Sequence, residues 1–189
     1  MREHAIATLV HDLGKLLLPG HFKIATAESC TGGMLACAIV SDIDASSILE
    51  RAFVVYSVDA KCEMLGLERD RVEECGGVAK DVAIAMARSA LQKSGADLAV
   101  AITGFAGPRE GDEEVGLIHI ATAYAQGVRH KALHLGDIGR KAACEQAVAA
   151  AQQCTHSPLF ASQLRPPMRG ACWTPARGGE AGRRARIGG

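Results

Sequence analysis

Phe22-Lys23-Ile24-Ala25-Thr26-Ala27-Glu28-Ser29-Cys30-Thr31-Gly32-Gly33-Met34-Leu35-Ala36-Cys37-Ala38-Ile39-Val40 changes character twice along its length. Phe22 to Ala27 reads as a short core strand. Glu28 to Gly33 is a turn of small residues, and Met34 to Val40 is an apolar helix. Strand, tight Ser/Thr/Gly turn and helix together predict an α/β unit. Such a unit aims main-chain N–H groups and a helix dipole at an anion. This makes Ser29, Thr31, Gly32 and Gly33 candidate ligand-binding residues; the plainer use of Ser29 or Thr31 is a helix N-cap. No Gly-Lys-Ser/Thr follows, so the turn is not a P-loop.

Working outward, Glu3 to Leu18 carries a helical apolar stripe that Pro19-Gly20 ends. Downstream, Ala45 to Lys61 holds Ser46, Ser47, Tyr56 and Lys61 around the strand-like run Phe53-Val54-Val55-Tyr56. A serine becomes a nucleophile when a base takes its proton, and a lysine made neutral by burial can be that base. The same residues have plainer uses. Ser47-Ile48-Leu49-Glu50 matches a capping box, Tyr56 suits a half-buried strand position, and Lys61 suits a solvated face of a helix Val58 to Leu65.

Beyond it, Arg69 to Glu74 is a short helical turn, and Lys80 to Lys93 is an amphipathic helix. Asp97 to Ile102 is apolar throughout, as for a strand covered on both faces. It opens into Thr103-Gly104-Phe105-Ala106-Gly107-Pro108, a glycine-rich loop at the strand end where open α/β sheets bind ligands. Val115 to Ala123 and Val128 to Leu135 read as a strand pair. Gly136 to Arg140 leads into a helix Lys141 to Gln153. His119, His130 and His134 lack metal-ligand spacing and read as ordinary strand residues.

Composition narrows the class. At 189 residues the chain suits one domain. Aromatics are only 4%, so the core must be built from Ala, Val, Ile and Leu. No apolar run approaches the ~20 residues of a membrane span, and the N-terminal stretch reads as an amphipathic helix rather than a signal peptide. Seven cysteines without a C-x-x-C pair argue against a disulfide framework or structural zinc, and for a cytoplasmic setting. Six Arg against one acid from Thr155 onward give the tail +5 and leave residues 1–154 at −5. The acidic body does not suggest a nucleic-acid partner, and the Arg/Gly/Pro composition of 155–189 predicts disorder.

Three islands, Ala25 to Gly33, Arg51 to Lys61 and Ala101 to Pro108, resemble in order, spacing and content the C-terminal domain of the CinA family. That domain also occurs alone, as PncC-type nicotinamide mononucleotide deamidases, and the chain looks like the stand-alone form. The likeness spans about residues 3 to 153. It implies a single three-layer α/β/α domain with a mixed sheet over 1–154. It further implies a dimer and hydrolysis of nicotinamide mononucleotide to nicotinic acid mononucleotide and ammonia by a Ser/Lys pair, without metal or cofactor. Carried over by residue, Ser46 would be the nucleophile, Lys61 the general base and Tyr56 the proton path. Thr103 and Gly104 of the glycine-rich loop and Arg140 would bind substrate, Arg140 through its phosphate.

Departures from the family pattern accompany the likeness. Asp44-Ala45-Ser46-Ser47 stands where Gly-x-Ser is usual; the Ser-to-Lys spacing selects Ser46, and the preceding Asp-Ile selects Ser47. Residues 109–114 are shorter and more acidic than usual, which disfavours a phosphate. Gly77-Val78-Ala79 replaces Ala-Val-Ser, and Cys144 sits where a second arginine is common. The competing reading is a catalytically weak pyridine-nucleotide-binding or oligomeric interaction module of the same fold.

Overall fold

The computed structural model describes residues 2–155 and Leu164. The elements run α1 (Arg2–Leu17), β1 (Ile24–Glu28), α2 (Met34–Ser41), β2 (Leu49–Val54), α3 (Val58–Leu65), α4 (Arg69–Glu74), α5 (Lys80–Gln92), β3 (Leu98–Gly104), β4 (Leu117–Tyr124), β5 (Gly127–His134) and α6 (Arg140–Thr155). One five-stranded sheet has the order β2-β1-β3-β4-β5. β2 and β3 flank β1 in parallel, whereas β3-β4-β5 is an antiparallel meander. The expected α/β domain with a mixed sheet is therefore what the chain forms. Apart from Thr155 and Leu164, the expected tail 155–189 lies outside the described residues.

Strand periodicity sorts the core by size. Side chains alternate between the two faces of a strand. Ile24, Leu98, Val100, Ile102, Ile118 and Ile120 project to one side and pack with Val10, Leu13 and Leu17 of α1, Leu35 and Ile39 of α2, and Ala147 and Val148 of α6. The intervening residues Ala25, Ala27, Ala99, Ala101, Ala121 and Ala123 face the other way, against Val82, Ala83, Met86, Ala87 and Ala90 of α5. Large residues fill the space under three helices, and small ones let α5 lie close on the sheet. The scarcity of aromatic residues follows from this division.

The polarity of the strands positions the site. Glu28, Val54 and Ile102 are register partners at the carboxyl ends of the three parallel strands. The segments that leave these ends are Ser29–Gly33, Val55–Lys61 and Gly104–Pro108, and they converge there. Ser46 and Ser47 precede β2 in a 3-10 turn, Ala45–Ile48. Its next residue, Leu49, pairs with Ile24 at the opposite end of β1. The capping-box reading of Ser47 fails for the same reason, since Leu49 begins a strand and not a helix.

The histidines behave as ordinary strand residues. His119 and His130 share a 3.0 Å hydrogen bond across β4 and β5, and burial lowers both pKa values.

Ala79, the N-cap of α5, has extended dihedrals and no side-chain cap; the Val82 N–H is taken by Asp81. Ala79→Ser places a hydroxyl where it can accept another free N–H. It is expected to stabilise the chain by about 0.5–2 kcal/mol in urea unfolding; an unchanged midpoint would contradict that capping account.

Candidate active site

Glu28 ends β1 with its carboxylate fully buried. The carboxylate accepts hydrogen bonds from Thr31 Oγ1 at 2.8 Å, Leu35 N at 3.0 Å and Ala36 N at 2.9 Å. A carboxylate at a helix N-terminus meets orphan N–H donors and the positive end of the dipole. The first turn of α2 is thus occupied from inside the protein. This corrects the expectation that α2 offers its N–H groups to a ligand phosphate. It also removes Thr31 from the candidate binding residues, because its hydroxyl serves Glu28. Gly33, with φ 98°, is the N-cap of α2 and has no side-chain cap. Gly32 and Gly33 shape the turn without lining the cleft described below.

The turn that Glu28 organises presents Ser29. Ser29 N donates to Ile102 O at 2.9 Å, and the Cys144 thiol of α6 reaches Cys30 O at 3.3 Å. Burial pushes the Cys30 thiol up to about 12, so it stays protonated at neutral pH. Just past the end of β2, Val55 N donates to Glu28 O at 2.8 Å. Ser57 then caps α3, accepting from Ala60 N at 3.0 Å. One turn into α3, Lys61 points back toward the sheet.

Lys61 is 3% exposed. Its Nζ donates to Ser29 Oγ at 3.0 Å and to Tyr56 O at 3.0 Å. Among the described residues it has no carboxylate partner. Burial lowers its pKa from 10.5, with the thiols of Cys30, Cys75 and Cys62 acting in the opposite direction. Gly77, at φ +74°, roofs this lysine. A Cβ there would sit 3.2 Å from Nζ, so the glycine admits the ammonium group where a side chain would press on it. Thr103 Oγ1 donates to Gly77 O at 2.6 Å and holds that roof in place. Thr103 is buried and acts on the Gly77 carbonyl; it does not line the cleft.

The cleft has a volume of about 250 Å³ and is bordered by Ser29, Cys30, Lys61, Tyr56, Gly104 and Arg140, among others. Arg140, at the start of α6, donates to Gly107 O at 2.7 Å and to Tyr56 Oη at 3.1 Å. Tyr56 therefore turns its hydroxyl to Arg140 and its carbonyl to Lys61. The expected proton path from Lys61 through the Tyr56 hydroxyl has no hydrogen bond to carry it. A larger groove of about 370 Å³ between α3, α4 and α5 contains none of these residues.

Ser46 is the main correction. Its Oγ donates to Ile43 O at 3.0 Å, and the Lys23 ammonium, one residue before β1, bonds the Ser47 carbonyl. Both serines lie at the amino end of the parallel strands, while Lys61 follows the carboxyl end of β2. The six residues of β2 span roughly 20 Å, so neither serine meets Lys61. The sequence marks Ser29 only as a binding or capping residue. The signal that identifies it is nonetheless present: like Lys61, it follows a parallel strand. Near Ser46, His11, Asp42 and Asp44 bring ligand-type atoms within 4.8 Å of one another. His11 Nδ1 lies 3.5 Å from Asp42, and the trio is remote from the cleft.

The model of the CinA C-terminal domain matches residues 6–159. The chain belongs to the CinA C-terminal domain family. A nicotinamide-nucleotide amidohydrolase PncC from Escherichia coli K12 is 38% identical over 81% of this chain and 94% of its own length. A CinA-like protein from Chlorobium limicola is 42% identical over 61% of this chain, which matches only 28% of that relative's length. The crystal structure of the competence/damage inducible protein CihA from Agrobacterium tumefaciens superposes with a TM-score of 0.78 and 37% identity, covering 84% of this chain and 96% of that one. Among the described residues no helix is long and apolar enough to cross a membrane.

Replacing Glu28 tests how this CinA-family turn is held. Glu28→Gln is expected to cost about 2 kcal/mol in urea unfolding, because the amide nitrogen would face N–H donors in a buried site. A loss under ~0.5 kcal/mol would show that the carboxylate does not anchor α2.

Proposed function

We propose that the chain is an amidohydrolase acting on the carboxamide of a pyridine nucleotide, with nicotinamide mononucleotide as the reference substrate. The observation that carries this reading is the 3.0 Å contact between Lys61 Nζ and Ser29 Oγ at the cleft. The name of the Escherichia coli relative, matched over 94% of its length, supports the choice of substrate.

In the proposed sequence, neutral Lys61 accepts the Ser29 hydroxyl proton as Oγ attacks the amide carbon. The resulting oxyanion needs donors, and the main-chain N–H groups of Cys30 and Ala106 belong to residues that border the cleft. Lys61 returns the proton to the departing nitrogen, the C–N bond breaks, and ammonia leaves an acyl-Ser29 ester. Water then attacks the ester as Lys61 takes a proton again. The C–O bond to Ser29 breaks, the hydroxyl regains its proton, and the pyridine acid is released. Tyr56 and Arg140 act on substrate orientation in this scheme. The competing reading, a module that binds without turnover, gains from the placement of Ser46 and Ser47 away from Lys61; the Lys61–Ser29 contact is what favours the amidohydrolase over it.

Ammonia release from nicotinamide mononucleotide tests the proposal. Ser29→Ala and Lys61→Ala are each expected to lose roughly 10³-fold or more in kcat. Ser46→Ala and Ser47→Ala are expected to stay within about twofold of the parent. The base must be neutral, so kcat/KM is expected to rise with pH through an ionisation below 10.5 and level off above it. Turnover that survives in Ser29→Ala would refute the assignment.

A further inference from the structure

The segment that closes the cleft carries charges of its own. Glu110 and Glu113 border the same space as Ser29, Lys61 and Arg140. Glu113 is fixed there, because its carboxylate accepts the Glu110 N–H, and that main-chain hydrogen bond holds its pKa below the usual carboxylate value. Arg109, whose charge acts on Glu113, lies on the same segment and does not border the cleft; the cations that do border it are Lys61 and Arg140. Lys61 is buried, with its ammonium group engaged by Ser29 and Tyr56, and Arg140 already spends donors on Gly107 and Tyr56. The helix N-terminus nearest the serine is filled by Glu28. Two glutamates thus border the opening beside one guanidinium and a buried amine whose pKa burial lowers.

Such a wall discriminates by charge. A pyridinium ring joined to a sugar carries a positive charge, which two carboxylates attract. A terminal phosphate on the same sugar carries close to two negative charges at neutral pH and meets repulsion from the same groups. We propose that Glu110 and Glu113 are specificity-determining residues that turn this cleft toward the unphosphorylated pyridinium nucleoside carboxamide. The phosphorylated nucleotide remains a poorer substrate. This inference rests on the amidohydrolase reading above and refines the substrate of that same site.

Two substrates and two amide substitutions test it. In the parent protein at low ionic strength, kcat/KM for nicotinamide riboside is expected to exceed that for nicotinamide mononucleotide. Added salt is expected to lower the first and raise the second, because screening weakens attraction and repulsion alike. In Glu110→Gln/Glu113→Gln the riboside-to-mononucleotide ratio is expected to fall roughly tenfold. The amide oxygen introduced by Glu113→Gln can still accept the main-chain N–H that fixes the loop, and circular dichroism checks the fold. A parent ratio below one, or a ratio that the double substitution leaves unchanged, overturns the proposal. If neither compound releases ammonia, the amidohydrolase reading fails, and the same ratio is then read from calorimetric Kd values. Equal Kd values, or no binding of either compound, overturn the charge selection as well.

Discussion

A lysine held almost out of water, with a serine hydroxyl and a main-chain carbonyl as its partners, is the constraint on which this structure turns. Burying an ammonium group without a carboxylate is unfavourable, and the protein offsets that cost only in part with two hydrogen bonds. What remains favours the neutral amine, the form that can accept a proton. The elements around Lys61 each serve this arrangement. Glu28 bends the chain so that Ser29 faces the amine. Gly77 leaves room above it, and Thr103 fixes Gly77. Removing any of these would change where the amine sits or how dry it is, so stability and chemistry are coupled at one point.

The sheet explains why the pieces meet. Parallel strands put all their carboxyl ends on one side, and β1, β2 and β3 are the three parallel strands. Ser29 follows β1, Lys61 follows β2, and the Gly104 loop follows β3. The antiparallel β4 and β5 extend the sheet and bring the chain back to Arg140, which closes the cleft from the fourth side. A core divided between large aliphatic residues under α1, α2 and α6 and alanines under α5 keeps these ends in register.

Most elements are legible in the sequence because their periodicity is strong. α3 and α4 have the bounds that the pattern implies, and α5, β3 and α6 differ by one or two residues at their ends. Lys61 and Arg140 can be read as site residues. Ser46 cannot be placed from spacing, because nearness along the chain says nothing about which end of a strand a residue occupies. It lies close to Lys61 in sequence and a full strand length away in space. The same rule that marks the Gly104 loop, that ligands bind where parallel strands end, selects Ser29 when applied to β1. The occupation of the α2 N-terminus by Glu28 is hidden for a different reason. A glutamate before a Ser/Thr/Gly turn reads equally well as exposed, and only its burial shows that it competes with an external anion.

For Ser29 to act, Lys61 must be neutral enough to take its proton. The direct test is an NMR titration of the Lys61 side chain in the parent protein, assigned by comparison with Lys61→Met. A titration midpoint below 10.5 is expected, moving up toward that value when the roof over the amine is opened by Thr103→Ala. A Lys61 that titrates at or above 10.5 in the parent would be a permanent cation, and the Ser29 mechanism built on it would be wrong.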